Sequence, residues 1–176
     1  SKGQLGDGTF SDNPSPKKLN ISLEDGEYIK DVKTGPQHCI ALPSMGNVYA
    51  WGNNGVGQLG IGNKDNKSTA VKVNLSDVEY VNAGFYQSYA IKSDGTVWGW
   101  GSGANHQLGT VSVGTCRVPT QITSLNGLNI EKIVGSDGFT IAVDKYGRMY
   151  SFGSNAVGGL GVYSQTPEIV AEDYYA

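Results

Sequence analysis

The chain is 176 residues long, 38% hydrophobic and 16% charged, with a formal net charge of −3. That suits one ordinary domain with a packed core, and it excludes a disordered segment or a spanning helix, which needs roughly 20 consecutive apolar residues. The slight acidity, with Lys17-Lys18 as the only adjacent basic pair, argues against direct contact with nucleic acid, where clustered cations are required.

Taken in chain order, short period-two segments alternate with turn signals. Residues 17–21 read as a short strand, followed by strands over 28–33, 38–42 and 48–51, with Met45-Gly46 as the turn between the last two. A loop containing Gly57-Gln58-Leu59-Gly60 leads to a strand over 71–74. The set then recurs: strands over 78–83, 88–91 and 97–100 around the Asp94-Gly95 turn, the loop segment His106-Gln107-Leu108-Gly109, and a strand over 119–122. A third set has strands over 130–134, 140–143 and 149–152 around Tyr146-Gly147, then Gly158-Gly159-Leu160-Gly161 and a strand over 168–170. Glycine, 26 of 176 residues, is about twice its usual share, as expected of many strands joined by tight turns.

This is an internal repeat. Leu5, Leu59, Leu108 and Leu160 stand 54, 49 and 52 residues apart. Seven residues before the Gln position of the last three copies comes an aromatic-Gly pair: Trp51-Gly52, Trp100-Gly101 and Phe152-Gly153. Gly46, Gly95 and Gly147 precede those glycines at a fixed offset, and Ala41, Ala90 and Ala142 precede them in turn. The repeats run approximately over residues 4–57, 58–106, 107–158 and, incomplete, 159–176. Within a strand pair the sizes alternate: Tyr49 and Trp51 oppose Val48 and Ala50, and Ile40 and Leu42 oppose Cys39 and Ala41. Each sheet is therefore expected to have a bulky face and a small-residue face that nest against its neighbours. The fold class is all-β: a β-propeller of four-stranded antiparallel blades.

These residues resemble the repeat of the regulator of chromosome condensation family, whose pattern is a Gly-x-x-His-Ser-x-Ala-Leu strand, an Asp-Gly turn, a Val-Tyr-x-Trp-Gly strand and Gly-Gln-Leu-Gly. The best matches are residues 35–42 with 48–60, and 84–109. Gln87 and Phe139 replace the His, Phe152 the Trp, Gly159 the Gln and Ser136 the leading Gly, so the third copy departs most. The resemblance implies a seven-bladed ring of about 360 residues. The 176 residues would then be a partial ring of three to four blades, with the remainder supplied by a longer chain or a neighbouring subunit.

In an up-and-down blade successive connections alternate between rims. One rim then gathers Gln37, His38, Phe85, Tyr86, Gln87 and Asp137 from short turns, and Asn54, Asn105, His106 and Asn155 from long loops, as candidate partner-binding residues. Gly46, Gly95 and Gly147 lie on the other rim. His38 occupies a repeat position, which favours a structural hydrogen bond over catalysis. Cys39 alternates with Ser88 and Thr140 as a small packing residue. The glycines follow the repeat and form no phosphate-binding loop. No catalytic, cofactor or metal site is expected. The reading is a protein-interaction scaffold and not an enzyme. The resemblance also implies two alternatives: guanine-nucleotide exchange on a Ran-like small GTPase, or secreted inhibition of an enzyme. Ser1-Lys2-Gly3-Gln4 lacks the apolar core of a signal peptide, which favours an intracellular setting.

Overall fold

The computed structural model describes residues 2–110, 114–156 and 168–171, which form twelve strands and a single 3-10 turn, Thr123–Leu125. Strands β1 (Ile29–Thr34), β2 (His38–Pro43), β3 (Val48–Gly52) and β4 (Lys67–Val73) make the first antiparallel sheet in that order. Strands β5 (Val78–Ala83), β6 (Gln87–Lys92), β7 (Val97–Ser102) and β8 (Thr115–Gln121) make the second. Strands β9 (Ile130–Gly135), β10 (Phe139–Asp144), β11 (Met149–Gly153) and β12 (Glu168–Ala171) make the third. The first strands, β1, β5 and β9, touch one another in succession, so they form the inner edge of the stack and β4, β8 and β12 the outer edge. These are three blades of a β-propeller.

The expected strand over residues 17–21 does not form. Among the described residues no strand pairs with it, and Leu19, Ile21 and Leu23 lay their side chains on Cys39, Ala41, Tyr49 and Trp51 of blade 1. Pro119 sits within β8, an outer-edge strand, where a missing N–H costs no ladder bond.

The expectation of one bulky and one small face per sheet is also corrected. Cys39 pairs with Trp51 and Ala41 with Tyr49, while Ile40 pairs with Ala50. Directly opposed residues share a face, so each face sets a small residue beside a large one. Size alternates from strand to strand within a face, which lets two faces interdigitate. At the first seam Ile40, Leu42, Val48 and Ala50 meet Val78, Val81, Ala90 and Trp100 of blade 2. At the second, Tyr89, Ile91 and Val97 meet Ile130, Ile133, Ala142 and Phe152. Burying each such large aliphatic or aromatic side chain contributes about 1.5–3 kcal/mol before the entropy of ordering is subtracted.

The Gly-Gln-Leu-Gly segment locks each seam through its main chain. The Gln58 carbonyl accepts hydrogen bonds from Trp100 Nε1 at 3.0 Å and Ser88 Oγ at 2.8 Å, both on blade 2. The Gln4 carbonyl receives Trp51 Nε1 at 3.1 Å and Cys39 Sγ at 3.4 Å in the same way. At the third copy Phe152 has no N–H to give, and Tyr89 OH joins Thr140 Oγ1 on the Gln107 carbonyl, each at 2.7 Å. The closing glycine lies flat against the aromatic ring: a Cβ on Gly60 would stand 2.7 Å from Trp100 Nε1, and one on Gly109 2.8 Å from the Phe152 ring. Leu59 and Leu108 fill the seams, 0% and 1% exposed. Gly161 and the rest of the fourth copy of this segment lie outside the described residues.

His106 holds the place of the first glycine in this segment and keeps its left-handed backbone, φ 60 against 82 at Gly3 and Gly57. A side chain there is strained. His106→Gly should therefore raise stability by about 0.5–1 kcal/mol, read as a higher urea midpoint at unchanged slope.

Candidate functional site

One rim is assembled from the short turns after β1, β5 and β9 and the long loops after β3, β7 and β11. Main-chain bonds pin each turn to the loop of its own blade: Asn53 N donates to the Gln37 carbonyl at 2.8 Å, Ser102 N to that of Tyr86 at 2.9 Å, and Ser154 N to that of Gly138 at 2.8 Å. The loops also reach the next blade, since Gln107 Nε2 donates to the Asp137 carbonyl at 3.4 Å. Each turn is thus tied to the loop of its own blade, and the blade 2 loop is tied to the blade 3 turn.

The ten rim residues expected to meet a partner divide by burial. His38, Asn54 and Gln87 are 0% exposed, which removes them as partner contacts. Asn54 ties its own loop, taking Leu59 N on Oδ1 at 2.9 Å and donating from Nδ2 to the Asn63 carbonyl at 3.0 Å. Gln87 accepts from Tyr86 N and donates to the Ser136 carbonyl of blade 3. His38 Nε2 lies 3.0 Å from Ser88 Oγ. The Ser88 proton goes to the Gln58 carbonyl, so His38 must donate from Nε2, leaving Nδ1 as a buried acceptor with no partner among the described residues. Burial pushes this imidazole down to about 4 from its ordinary 6.5, so it is neutral at physiological pH.

The other seven remain at the surface. Phe85 is 37% exposed and packs edge-to-face on the half-buried Tyr86, ring centroids 4.6 Å apart at 65°. Asn105 and Asp137 are exposed; Gln37, His106 and Asn155 are half-buried. Gln37 Oε1 accepts from Asn53 Nδ2 at 2.8 Å, so part of its polar capacity is spent within the rim. Asn53, absent from the expected set, is therefore a rim organiser. Its offset after Trp51-Gly52 was visible, but its role depends on a turn 16 residues away.

Burial pushes the Cys39 thiol up to about 11, which leaves it protonated at neutral pH. Among the described residues no three His, Cys, Asp or Glu side chains gather as metal ligands, and no helix is long and apolar enough to cross a membrane. The opposite rim differs in character. There Tyr146 is 63% exposed, with Lys145 Nζ 4.9 Å and Arg148 Cζ 5.2 Å from its ring centre. Arg148 Nε also holds the buried Asp144 at 2.6 Å.

The regulator of chromosome condensation (RCC1) repeat matches this chain over residues 45–91 and 94–143, and a second form of the same repeat matches residues 29–58 and 78–107. The chain belongs to the RCC1 repeat family. It is 33% identical over 162 residues to the ultraviolet-B receptor UVR8 of Arabidopsis thaliana, covering 90% of this chain and 36% of that protein. It is 36% identical over 178 residues to the probable E3 ubiquitin-protein ligase HERC6 of Homo sapiens, covering 96% of this chain and 17% of that protein. The chain thus spans little more than a third of one relative and under a fifth of the other. Among solved structures, human WBSCR16 superposes with a TM-score of 0.78 at 21% identity, over 97% of this chain and 47% of that one. Yeast RCC1 (Prp20), solved with Kap60, superposes at 0.80 and 19% identity, over 88% of this chain and 39% of that one. Prp20p from Saccharomyces cerevisiae, described with its binding properties to Gsp1p and histones, superposes at 0.71 and 22% identity, over 85% of this chain and 34% of that one. At these identities the structures establish the RCC1-type propeller fold.

Proposed function

We propose that the chain is a protein-binding arc of an RCC1-type propeller and that its partner seats on the rim bearing Phe85 and Tyr86. One observation carries this reading: a solvent-facing aromatic pair held edge-to-face on a short turn that main-chain bonds fix in place. Preorganised aromatics bind at low entropic cost and are enriched among energetically dominant interface residues. The amides and single carboxylate around them supply hydrogen bonds without a strong field, which suits a protein surface better than a polyanion. The relatives support a module that binds: a receptor and a ligase share the repeat while differing in their whole-protein roles.

The double substitution Phe85→Ala with Tyr86→Ala should weaken capture of the partner recovered by the wild-type chain at least tenfold, about 1.4 kcal/mol or more. Tyr146→Ala, on the opposite rim, should leave it unchanged. Binding measured by calorimetry on the three proteins decides the matter, and equal affinities would remove this rim from the interface.

A second reading is guanine-nucleotide exchange on a Ran-like small GTPase. It is favoured by the likeness to Prp20p, which is described as binding Gsp1p. Exchange works by remodelling the GTPase, so it needs no nucleophile on this chain. Release of a labelled nucleotide from a panel of small GTPases, with and without the chain, tests it directly.

A further inference from the structure

Tyr49, Trp98 and Tyr150 hold one position in the three blades, each paired with the alanine of the repeat: Ala41, Ala90 and Ala142. Tyr49 and Tyr150 are 4% exposed, whereas Trp98 is half-buried. The connection that leads into each blade accounts for the difference. Before β1, the Ser22 carbonyl accepts the Tyr49 hydroxyl at 2.8 Å. Before β9, the eight residues 122–129 bring Leu125 and Leu128 onto the cluster that holds Tyr150. Before β5 the connection is only four residues, 74–77, too short to make that turn. A cleft of about 410 Å³ is left there, on the rim opposite Phe85, with Trp98 as one wall. Its lining residues all come from blades 1 and 2 and the connection between them.

The lining carries one sign of charge. Lys72 on β4 and Lys92 on β6 stand in the cleft with Trp98, Asn74 and Ser76, and no carboxylate lines it. The cleft of similar size between blades 2 and 3 instead sets Glu79 and Glu131 beside Lys92 and Lys145. Each lysine of the first cleft holds a carboxylate from outside the lining. Lys72 Nζ lies 2.7 Å from Glu24 Oε1, and Lys92 Nζ lies 3.7 Å from Asp77 Oδ2. Both carboxylates are more than half exposed, so these are weak surface pairs, and an ammonium has three protons to share.

We propose that this cleft binds a small phosphorylated aromatic molecule of the nucleoside monophosphate class. The planar base stacks on the Trp98 indole, and the phosphate takes the Lys72 and Lys92 ammoniums. Trp98 Nε1 is already given to Thr96 Oγ1 at 2.9 Å, which steadies the ring and leaves its face for stacking. The exposed amide of Asn74 and the Ser76 hydroxyl supply polar partners for the rest of the ligand. The cleft lies at the lower end of the roughly 300–1,000 Å³ that small-ligand sites occupy, which suits a single nucleotide.

Calorimetric titration of the 176-residue chain with adenosine monophosphate tests this, with tryptophan emission as the readout that reports the site. Trp98 is the tryptophan open to solvent, Trp51 and Trp100 being 4% and 0% exposed. The nucleotide should bind with a Kd below about 1 mM and quench the emission. Adenosine alone and inorganic phosphate alone should each bind about tenfold more weakly, since each lacks either the charge-assisted bonds or the stacking. Lys72→Gln with Lys92→Gln should weaken the nucleotide about tenfold and leave adenosine unchanged. Lys72→Gln alone, at an exposed position, stands in if the pair disturbs folding, which far-UV circular dichroism reads. Trp98→Leu should bring the nucleotide down to the affinity of phosphate, and Trp98→Tyr, the residue of the other two blades, should restore most of it. No binding up to about 1 mM, binding without quenching, equal affinity for the nucleotide and either of its parts, or a folded lysine variant that binds like wild type would each overturn the proposal.

Discussion

Trp100→Ala should cost the chain about 3–5 kcal/mol of stability, the range of large-to-small changes in a well-packed core. Trp100 is 0% exposed and fills the first seam among Ile40, Leu42, Val48 and Leu59. Its indole also rests on Gly60, which has no Cβ to retreat, so the cavity left behind has rigid walls. Trp100→Phe separates the two contributions. It keeps most of the ring and loses the bond to the Gln58 carbonyl, which still holds Ser88 Oγ. The expected cost is about 1 kcal/mol, and Phe152 shows that the repeat tolerates this residue. Trp98 is half-buried and bonded to Thr96 Oγ1, so Trp98→Ala should cost less than Trp100→Ala. Urea unfolding followed by far-UV circular dichroism checks all three. A loss below about 1 kcal/mol at Trp100→Ala would mean that the indole is not a wedge between blades.

The second large effect is a loss of stability on mild acidification, centred on His38. Its folded-state value of about 4 lies below the ordinary 6.5, because burial disfavours the imidazolium. A depressed value means that the folded state holds the neutral ring and the unfolded state takes up the proton first. The contribution is complete above pH 6.5 and is lost progressively as pH falls toward 4, amounting to about 3 kcal/mol. Blade 2 shows the control. Gln87 stands at the equivalent position and donates to the Ser136 carbonyl, whose counterpart for position 38 is that of Gly84. His38→Gln should therefore fold and should flatten the dependence between pH 6.5 and 4. Parallel urea titrations across that interval decide it, and an unchanged slope in the variant would place the acid sensitivity elsewhere.

Much of this architecture was legible in the repeat. The offsets linking Gly46, Trp51-Gly52 and Gln58 recur because each blade must present the same small and large groups to its neighbour, and the strand order followed from turns too short for a crossover. The strand over residues 17–21 misled because period-two alternation reports a residue's two faces and says nothing about whether a ladder partner exists. The candidate rim was partly legible: alternation of the connections placed Phe85, Tyr86, Asn105 and Asp137 together. Burial sorted the wider candidate set, through partners within a residue's own loop in one case and far along the chain in another. Asn54 turns inward to serve Asn63 and Leu59, and His38 turns to Ser88, 50 positions on.

The sequence by itself determined the blade: its four-strand period, its glycine turns and the aromatic that each copy sends toward the preceding one. Those are local matters of alternation and backbone sterics, and they leave a readable period. Only the tertiary structure decided that the glutamine of each Gly-Gln-Leu-Gly segment works through its carbonyl, that size alternates strand by strand within a face, and which rim side chains remain open to a partner. Those depend on which blade stands against which, and a main-chain acceptor leaves no mark on the identity of the residue that carries it.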